Sequence, residues 1–298
     1  MQFKMGIDLG GTKTEVIVLD QNHQPLYRER FATPASDYDA ILHSLTELVE
    51  DVRSRFEGDL SIGIGIPGSI SPASGLMRNS NTVCMNGQPF AGDLESRLGQ
   101  EIRIENDANC FALSEAHSDA APSHGMVFGV IIGTGTGGGL VIDGKLHNGP
   151  LSISGEWGHN PLPWLREEDG APKCYCGKTS CIETFLSGPG FARNTNKRYG
   201  TNLSSEQIIA AAESGDDSCT SMLNLYHDQM ARALAHVINV LDPHAIVLGG
   251  GMSNIDSIYR AVPELLGNYV FSDFVNTPLL RAERGDSSGV FGAALLWP

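Results

Sequence analysis

The chain has 298 residues, 41% of them hydrophobic and 18% charged, the composition of a folded globular protein with material for about two domains. Its formal net charge of −15, with no run of lysines or arginines, sets it against nucleic acid and anionic membranes as partners. MQFKMGIDLGG lacks the pattern of a cleaved leader and no window reaches the length of a membrane span, so a cytoplasmic protein with reduced thiols is expected.

Strands and helices alternate along the chain. GIDL is a short apolar strand ending in glycines, and TEVIVLD continues as a second strand into the turn DQNHQP. A helix follows over SDYDAILHSLTELVEDVRSRFEG. Ile41, Leu45, Leu48, Val52 and Phe56 recur at helical spacing, Ser36 or Asp37 caps its start, and Gly58 ends it. LSIGIGI reads as a strand that stops at Pro67-Gly68. EIRIE reads as another, delivering Asn106 and Asp107 at its carboxyl end, where NCFALSEA begins a helix. MVFGVII opens a second half. A long buried helix covers DDSCTSMLNLYHDQMARALAHVINVLDP, AIVL is a parallel-type strand running into Gly249, Gly250 and Gly251, and SGVFGAALLW is a closing apolar helix. This alternation indicates an α/β fold.

A weak internal repeat supports two similar halves. MGIDLGGTKTEVIVLD and GVIIGTGTGGGLVIDG both run apolar strand, glycine turn, apolar strand, Asp, roughly 125 residues apart. The second contains GTGTGG, Gly133 to Gly138, which fits the dinucleotide pattern G-x-G-x-x-G. However, LVIDGKL after it reads as strand, Asp-Gly turn and strand rather than helix, and no Walker loop is present. Two glycine hairpins remain, with Thr12, Lys13, Thr134 and Thr136 among them. Bare N–H groups and hydroxyls of this kind surround phosphate oxygens, and Asp8 is placed to hold the accompanying Mg²⁺; ordinary hairpins are the bland alternative.

Asp107 ends a strand, where ligands gather in open α/β sheets, and a phosphoryl acceptor hydroxyl needs such a carboxylate to take its proton. The competing reading is that Asn106 or Asp107 merely caps the next helix. Cys174, Cys176 and Cys181 in CYCGKTSC are too unevenly spaced for a C-x-x-C redox site. With His159 upstream they make a tetrahedral zinc set, against the alternative of free thiols. Cys84, Cys110 and Cys219 stand alone and read as structural thiols, and His147, His227 and His236 as solvated or core residues.

Taken together, these pieces resemble the ROK family of sugar kinases and related repressors over essentially the whole chain. GIDLGGTK (6–13) and GTGTGGGL (133–140) match the family's two phosphate loops, END (105–107) its catalytic aspartate, and GEWGHNPLP with CYCGKTSCIE its GH pair and cysteine cluster. The resemblance implies a two-domain actin/hexokinase-like (ribonuclease H-like) fold with an interdomain cleft. The expected division is a small domain over 1–119 joined by the last helix, 287–298, and a larger one over 120–286 carrying a zinc loop at 156–183.

It implies MgATP held by Asp8, Gly10, Gly11, Thr12, Lys13, Gly133, Thr134, Gly135, Thr136 and Gly137, with Gly249, Gly250 and Gly251 near the adenine nucleotide. It implies Asp107 as general base, a hexose held by Gly68, Asn81, Asn106, Asp107, Glu156, His159 and Glu183, structural zinc on His159, Cys174, Cys176 and Cys181, and a homodimer. One imidazole nitrogen of His159 would bind the metal and leave the other for a sugar hydroxyl. The family usually has glycine before the last cysteine, where Ser180 stands here; a positive φ there would strain serine.

Within the family the chain resembles fructokinases through GIPGSISP, NGQPF, GEWGHNPLPW, KCYCGK and GDSSGV, so phosphorylation of the 6-hydroxyl of fructose is expected. The alternative is an N-acetylglucosamine kinase, from which the run Asn160 to Trp164 is expected to be missing. Repressors of the family carry a helix-turn-helix ahead of the sugar domain, for which a first strand starting near residue 3 leaves no room.

Overall fold

The computed structural model describes residues 2–122 and 125–298. Two five-stranded sheets organise it, and each follows one plan: an antiparallel trio, then two parallel strands. In the first, β1 (Gln2–Leu9), β2 (Lys13–Leu19) and β3 (Pro25–Ala32) form the trio. Helix α1 (Tyr38–Arg55) then crosses over to β4 (Asp59–Ile66), which lies parallel to β1. A two-stranded hairpin, β5 (Ser69–Ile70) and β6 (Met77–Arg78), and helix α2 (Phe90–Leu98) precede the edge strand β7 (Arg103–Asn106), which leads directly into α3 (Asp107–Ala116).

The second sheet repeats this with β8 (Met126–Ile132), β9 (Thr136–Ile142) and β10 (Lys145–Leu146) as its trio. Helices α4 (Glu183–Leu186), α5 (Gly188–Tyr199), α6 (Ser205–Glu213) and α7 (Asp217–Leu241) lead to β11 (Ala245–Gly249), parallel to β8. Helix α8 (Ile258–Leu266) leads to the edge strand β12 (Leu279–Arg281), and α9 (Ser288–Ala294) follows. The weak sequence repeat is therefore the visible trace of two equivalent sheets. The Asp-Gly turn between β9 and β10 is a positive-φ pair at Asp143 and Gly144, the backbone a two-residue hairpin needs.

Local signals explain most element ends. Asp37 caps α1 by accepting the Ala40 N–H, and the helix stops at Phe56, two residues before Gly58. Its buried stripe is Ile41, Leu42, Leu45, Val49 and Val52, so Leu48 and Phe56 sit at the margin of the core rather than in it. Asp216 caps α7 by accepting the Cys219 N–H, and the helix buries Leu223, Tyr226, Met230, Leu234 and Val237 along one stripe.

Helices α3 and α9 pack against each other between the sheets. Paired glycines let them approach. Gly6 and Gly63 lie side by side on β1 and β4, and a Cβ on Gly63 would come within 1.9 Å of the Ala293 carbonyl of α9. Gly129 and Gly139 pair on β8 and β9 and receive Ala112 of α3 in the same way. Each helix thus lies in a trough that a single methyl group would fill. No helix among the described residues is long and apolar enough to cross a membrane.

Candidate active site

The carboxyl end of β7 delivers Asn106 and Asp107 to the start of α3. Asn106 is the cap: its Oδ1 accepts the N–H groups of Ala108 (2.8 Å) and Asn109 (3.4 Å), and its Nδ2 donates to the Gly68 carbonyl at 3.1 Å. Capping is therefore done by Asn106, an expected sugar ligand whose Oδ1 is committed here while its amide keeps a second N–H, and Gly68 is engaged through its carbonyl. Asp107 has one oxygen on the Ala108 N–H and is otherwise open to solvent at the molecular surface. Protein nevertheless surrounds it closely enough that desolvation, and then the Glu156 charge, push its carboxyl above the usual range, against the Ala108 N–H that pulls it down.

Asp8, at the end of β1, lies in the same field. Burial first, then the charges of Asp107 and Glu15, push it up to about 7, while Arg30 pulls it down. Gly289 of α9 helps cover it: a Cβ there would sit 2.7 Å from Asp8 Oδ2. A buried carboxylate with two carboxylate neighbours favours a cation, so the donor chemistry fits Mg²⁺ accompanying a nucleotide.

The first glycine turn is closed by the Gly10 N–H on the Lys13 carbonyl at 3.0 Å, with Thr12 and Lys13 exposed beside it. Gly11 faces Asn81 and Thr82. The segment carrying Asn81 is folded by Asn86, whose amide oxygen accepts the Ser80 N–H at 2.9 Å and whose amide nitrogen donates to the Ser80 carbonyl at 2.8 Å. The second turn is closed by the Gly133 N–H on the Gly135 carbonyl at 2.9 Å. Its Thr136 N–H donates to Glu183 Oε2 at 3.1 Å, and Gly137 packs against Ala108 beside Asp107. Glu183, expected at the sugar, thus supports the second glycine turn.

A cavity of about 450 Å³ opens beside that turn, lined by Gly133, Thr134, Gly188, Ser205, Gly251 and Met252 among others. Of the three glycines expected near the nucleotide, only Gly251 lines it. Gly249 makes room for the Phe111 ring, and Gly250 has φ +83° beside the Ile132 carbonyl. Gly188 and Ser205, from the starts of α5 and α6, carry no motif of their own and so were not legible from the chain alone.

The segment 156–183 runs back across β9. Gly158 is forced by contact, since a Cβ there would lie 2.0 Å from the Thr136 carbonyl, while Trp157 donates Nε1–H to the Gly137 carbonyl. His159 and the three cysteines converge, with their ligand atoms all within 4.8 Å of one another. His159 Nδ1 lies 3.6 Å from Cys174 Sγ, and Cys176 Sγ 3.6 Å from Cys181 Sγ, against the about 3.7 Å between ligands of a tetrahedral zinc. The donor set fits that metal. The other imidazole nitrogen is not free as expected, because the Tyr175 hydroxyl lies 3.0 Å from Nε2.

Asn160 to Trp164 fasten this loop. The Ile182 N–H donates to the Asn160 carbonyl (2.9 Å) and the Leu162 N–H to the Ser180 carbonyl (2.8 Å). Arg232 of α7 donates to the Trp164 carbonyl at 2.9 Å. Arg232 also forms a fully buried pair with Asp169 (2.7 and 2.8 Å), which holds that carboxyl below its usual range although burial alone would raise it. Cys110 and Cys219 are buried thiols, Cys84 is half-buried, and His227 is a core residue whose Nε2 is 3.0 Å from Ser257 Oγ.

A mixed two-sheet fold with two glycine turns, a carboxylate pair and a His-Cys₃ cluster defines a class, and the chain belongs to it: residues 4–298 match the ROK family. It is a sugar kinase of that family. It is 41% identical to the N-acetyl-D-glucosamine kinase of Pasteurella multocida, with 99% of each chain covered, and 39% identical to that of Haemophilus influenzae, with 98% of each covered. Its fold is similar to that of a ROK hexokinase from Thermus thermophilus (TM-score 0.88, 29% identity, 99% of this chain and 97% of the other). The relatives favour the N-acetylglucosamine alternative over the fructokinase expectation. The run Asn160 to Trp164, which carried part of the fructokinase likeness, fastens the cysteine loop through its main chain.

Proposed function

We propose that this chain transfers the γ-phosphoryl group of ATP to the 6-hydroxyl of N-acetylglucosamine. The observation that carries the reading is the 41% identity to an N-acetyl-D-glucosamine kinase over 99% of both chains.

In this reading the nucleoside occupies the cavity beside Gly133 and Gly251, and the phosphates lie along the two glycine turns, whose N–H groups and Thr12 and Thr134 hydroxyls donate to phosphate oxygens. Asp8 orients the magnesium. The sugar lies on the side of Asp107 that faces Glu156, with Asn81 and Glu156 available for its hydroxyls. Asp107 accepts the proton of the 6-hydroxyl as that oxygen forms its bond to the γ-phosphorus, and ADP leaves with the electron pair of the breaking P–O bond. The raised carboxyl of Asp107 suits a base, because a basic carboxylate accepts a proton more readily.

His159, Cys174, Cys176 and Cys181 would hold a zinc ion, whose charge would fix the loop as a rigid support. In this arrangement His159 meets the sugar directly only if Tyr175 turns aside; otherwise the Tyr175 hydroxyl relays the contact. A homodimer belongs to the same reading and is tested by light scattering.

The test of substrate is kcat/KM for ATP-dependent phosphorylation of N-acetylglucosamine, glucose, mannose and fructose. N-acetylglucosamine should lead by at least about tenfold, the discrimination one well-placed polar contact supplies. A lead for fructose would overturn the reading.

A further inference from the structure

Glu105, the residue before the Asn106-Asp107 pair, has no part in the mechanism above, yet it is half-buried and doubly bonded. Its Oε2 accepts from Asn109 Nδ2 of α3 at 3.1 Å, and its Oε1 accepts from Asn148 Nδ2, which belongs to the other sheet's hairpin. Asn148 begins the loop that ends at Glu156, and its carbonyl accepts the Ser154 N–H at 3.2 Å, closing the loop on itself. A second tie reaches the same loop from the first sheet's side. Arg78 of β6 donates to the Leu151 carbonyl at 2.8 Å, braced by its Nε on Ser69 Oγ at 3.1 Å.

Little else holds this loop at that end. Leu151 and Ile153 are 60% and 50% exposed, so apolar burial does not fix them. Behind Glu105 and Asn148 lies a cavity of about 520 Å³, bounded by Arg103, Lys145, Leu113 and Leu296, so packing does not press on the bridge from that side either. Residues 149–153 therefore depend on directional polar contacts for their position, while at the loop's other end Gly155 packs on β9, where a Cβ would lie 2.4 Å from the Gly138 carbonyl.

We propose that Glu105 and Arg78 are positioning residues that clamp loop 147–156 of the second half to the first sheet and so hold Glu156 against Asp107. The clamp rests on the proposed assignment of Asp107 and Glu156 to the sugar. Glu105 suits the task because a carboxylate offers a separate acceptor oxygen to each of two amide nitrogens, where glutamine would turn an NH₂ donor toward one of them. Its burial raises its pKa, and the Asn109 and Asn148 donors pull it back, the balance of a carboxylate kept for its acceptor geometry.

The test is a polarity reversal. Glu105→Gln keeps the shape but sets an amide NH₂ against one of the two asparagine donors. The KM for sugar should rise about tenfold, the loss of one buried hydrogen bond, with the KM for ATP within twofold of the parent. Adding Asn148→Asp to the same chain restores a donor–acceptor pair with reversed polarity and should recover most of the sugar KM. Arg78→Leu, outside the buried bridge, should raise the sugar KM alone.

Amide exchange over residues 149–155 should quicken in Glu105→Gln and slow again in the double variant. An unchanged sugar KM in Glu105→Gln, or no recovery of KM and exchange on adding Asn148→Asp, overturns the clamp. Glu156→Ala is measured alongside. If its sugar KM is unchanged, the assignment of Glu156 to the sugar fails, and the clamp is then judged on amide exchange alone.

Discussion

Glu183 accepts the Thr136 N–H at 3.1 Å, joining the end of the cysteine loop to the second glycine turn across 47 residues of sequence. Glu183 lies two residues past Cys181, so whatever fixes the cysteine cluster also fixes the carboxylate under that turn. Chelation of zinc should therefore weaken nucleotide as well as sugar binding, each by about tenfold, and restoring zinc should recover both. Titration calorimetry with a non-hydrolysable ATP analogue and with sugar reads the two separately. Loss of sugar affinity alone would show that the Glu183 link transmits nothing.

Ser180 has φ +58°, in the left-handed region, and the main chain has no freedom to leave it. Its N–H donates to the Pro172 carbonyl and its carbonyl accepts the Leu162 N–H, both at 2.8 Å, while the side chain is 5% exposed. Ser180→Gly removes the steric cost of that conformation, offset in part by the greater freedom of glycine in the unfolded chain. A net gain of about 0.5–1 kcal/mol is expected. Thermal unfolding should rise by a few degrees with kcat unaltered, and a fall in Tm would show that the serine hydroxyl compensates the strain.

That serine illustrates what was legible in the sequence and what was not. The missing glycine could be read as a potential strain, but the sign of φ is set by Pro172 and Leu162, on the other strands of the loop. The strand–glycine–strand repeat announced two equivalent sheets because each sheet begins with contiguous chain. The meeting of His159 with the cysteines was legible because residue types able to hold a metal stand out in a sequence. Asn106 was legible only as one of two candidate caps, and the geometry at Ala108 and Asn109 gives the cap to it rather than to Asp107. Arg232, Glu105 and Asn148 escaped notice for a further reason, since each has a partner 43 to 68 residues away and no local pattern marks such pairs.

Asp8 should leave a signature in stability against pH. Its folded-state pKa of about 7 lies above that of the unfolded chain, so the native protein holds a proton that the unfolded chain has released. Stability from this group therefore declines as pH rises from roughly 4 to 7, and the penalty is fully present above that window. Asp8→Asn should raise the Tm of the nucleotide-free protein at pH 8, by an amount corresponding to about 2–4 kcal/mol at most, and change it little at pH 4. The same variant should lose most activity, because MgATP would lose the carboxylate proposed to face its metal. A Tm gain equal at both pH values would mean that relief of packing, not of charge, is responsible.

Asp107 and its neighbour Asn106 make a pair of opposite predictions, because the cap and the proposed base are separate residues. Asn106→Ala removes the acceptor for two N–H groups at the start of α3 and should cost about 1 kcal/mol of stability. Its kcat should fall only modestly if Asp107 keeps its place. Asp107→Asn preserves volume at the first helical position and should not lower Tm, raising it slightly at neutral pH where the raised carboxyl is charged, yet lower kcat by about 10²–10⁴, the usual contribution of a general base. The pH profile separates the two further. Burial and the Glu156 charge raise the carboxyl of Asp107, so the acid limb of kcat/KM for sugar should lie above the ordinary aspartate range and move down in Glu156→Gln, where the repelling charge is gone. Near-parental turnover in Asp107→Asn would reduce Asp107 to a second capping residue and leave the proton without an acceptor on this chain.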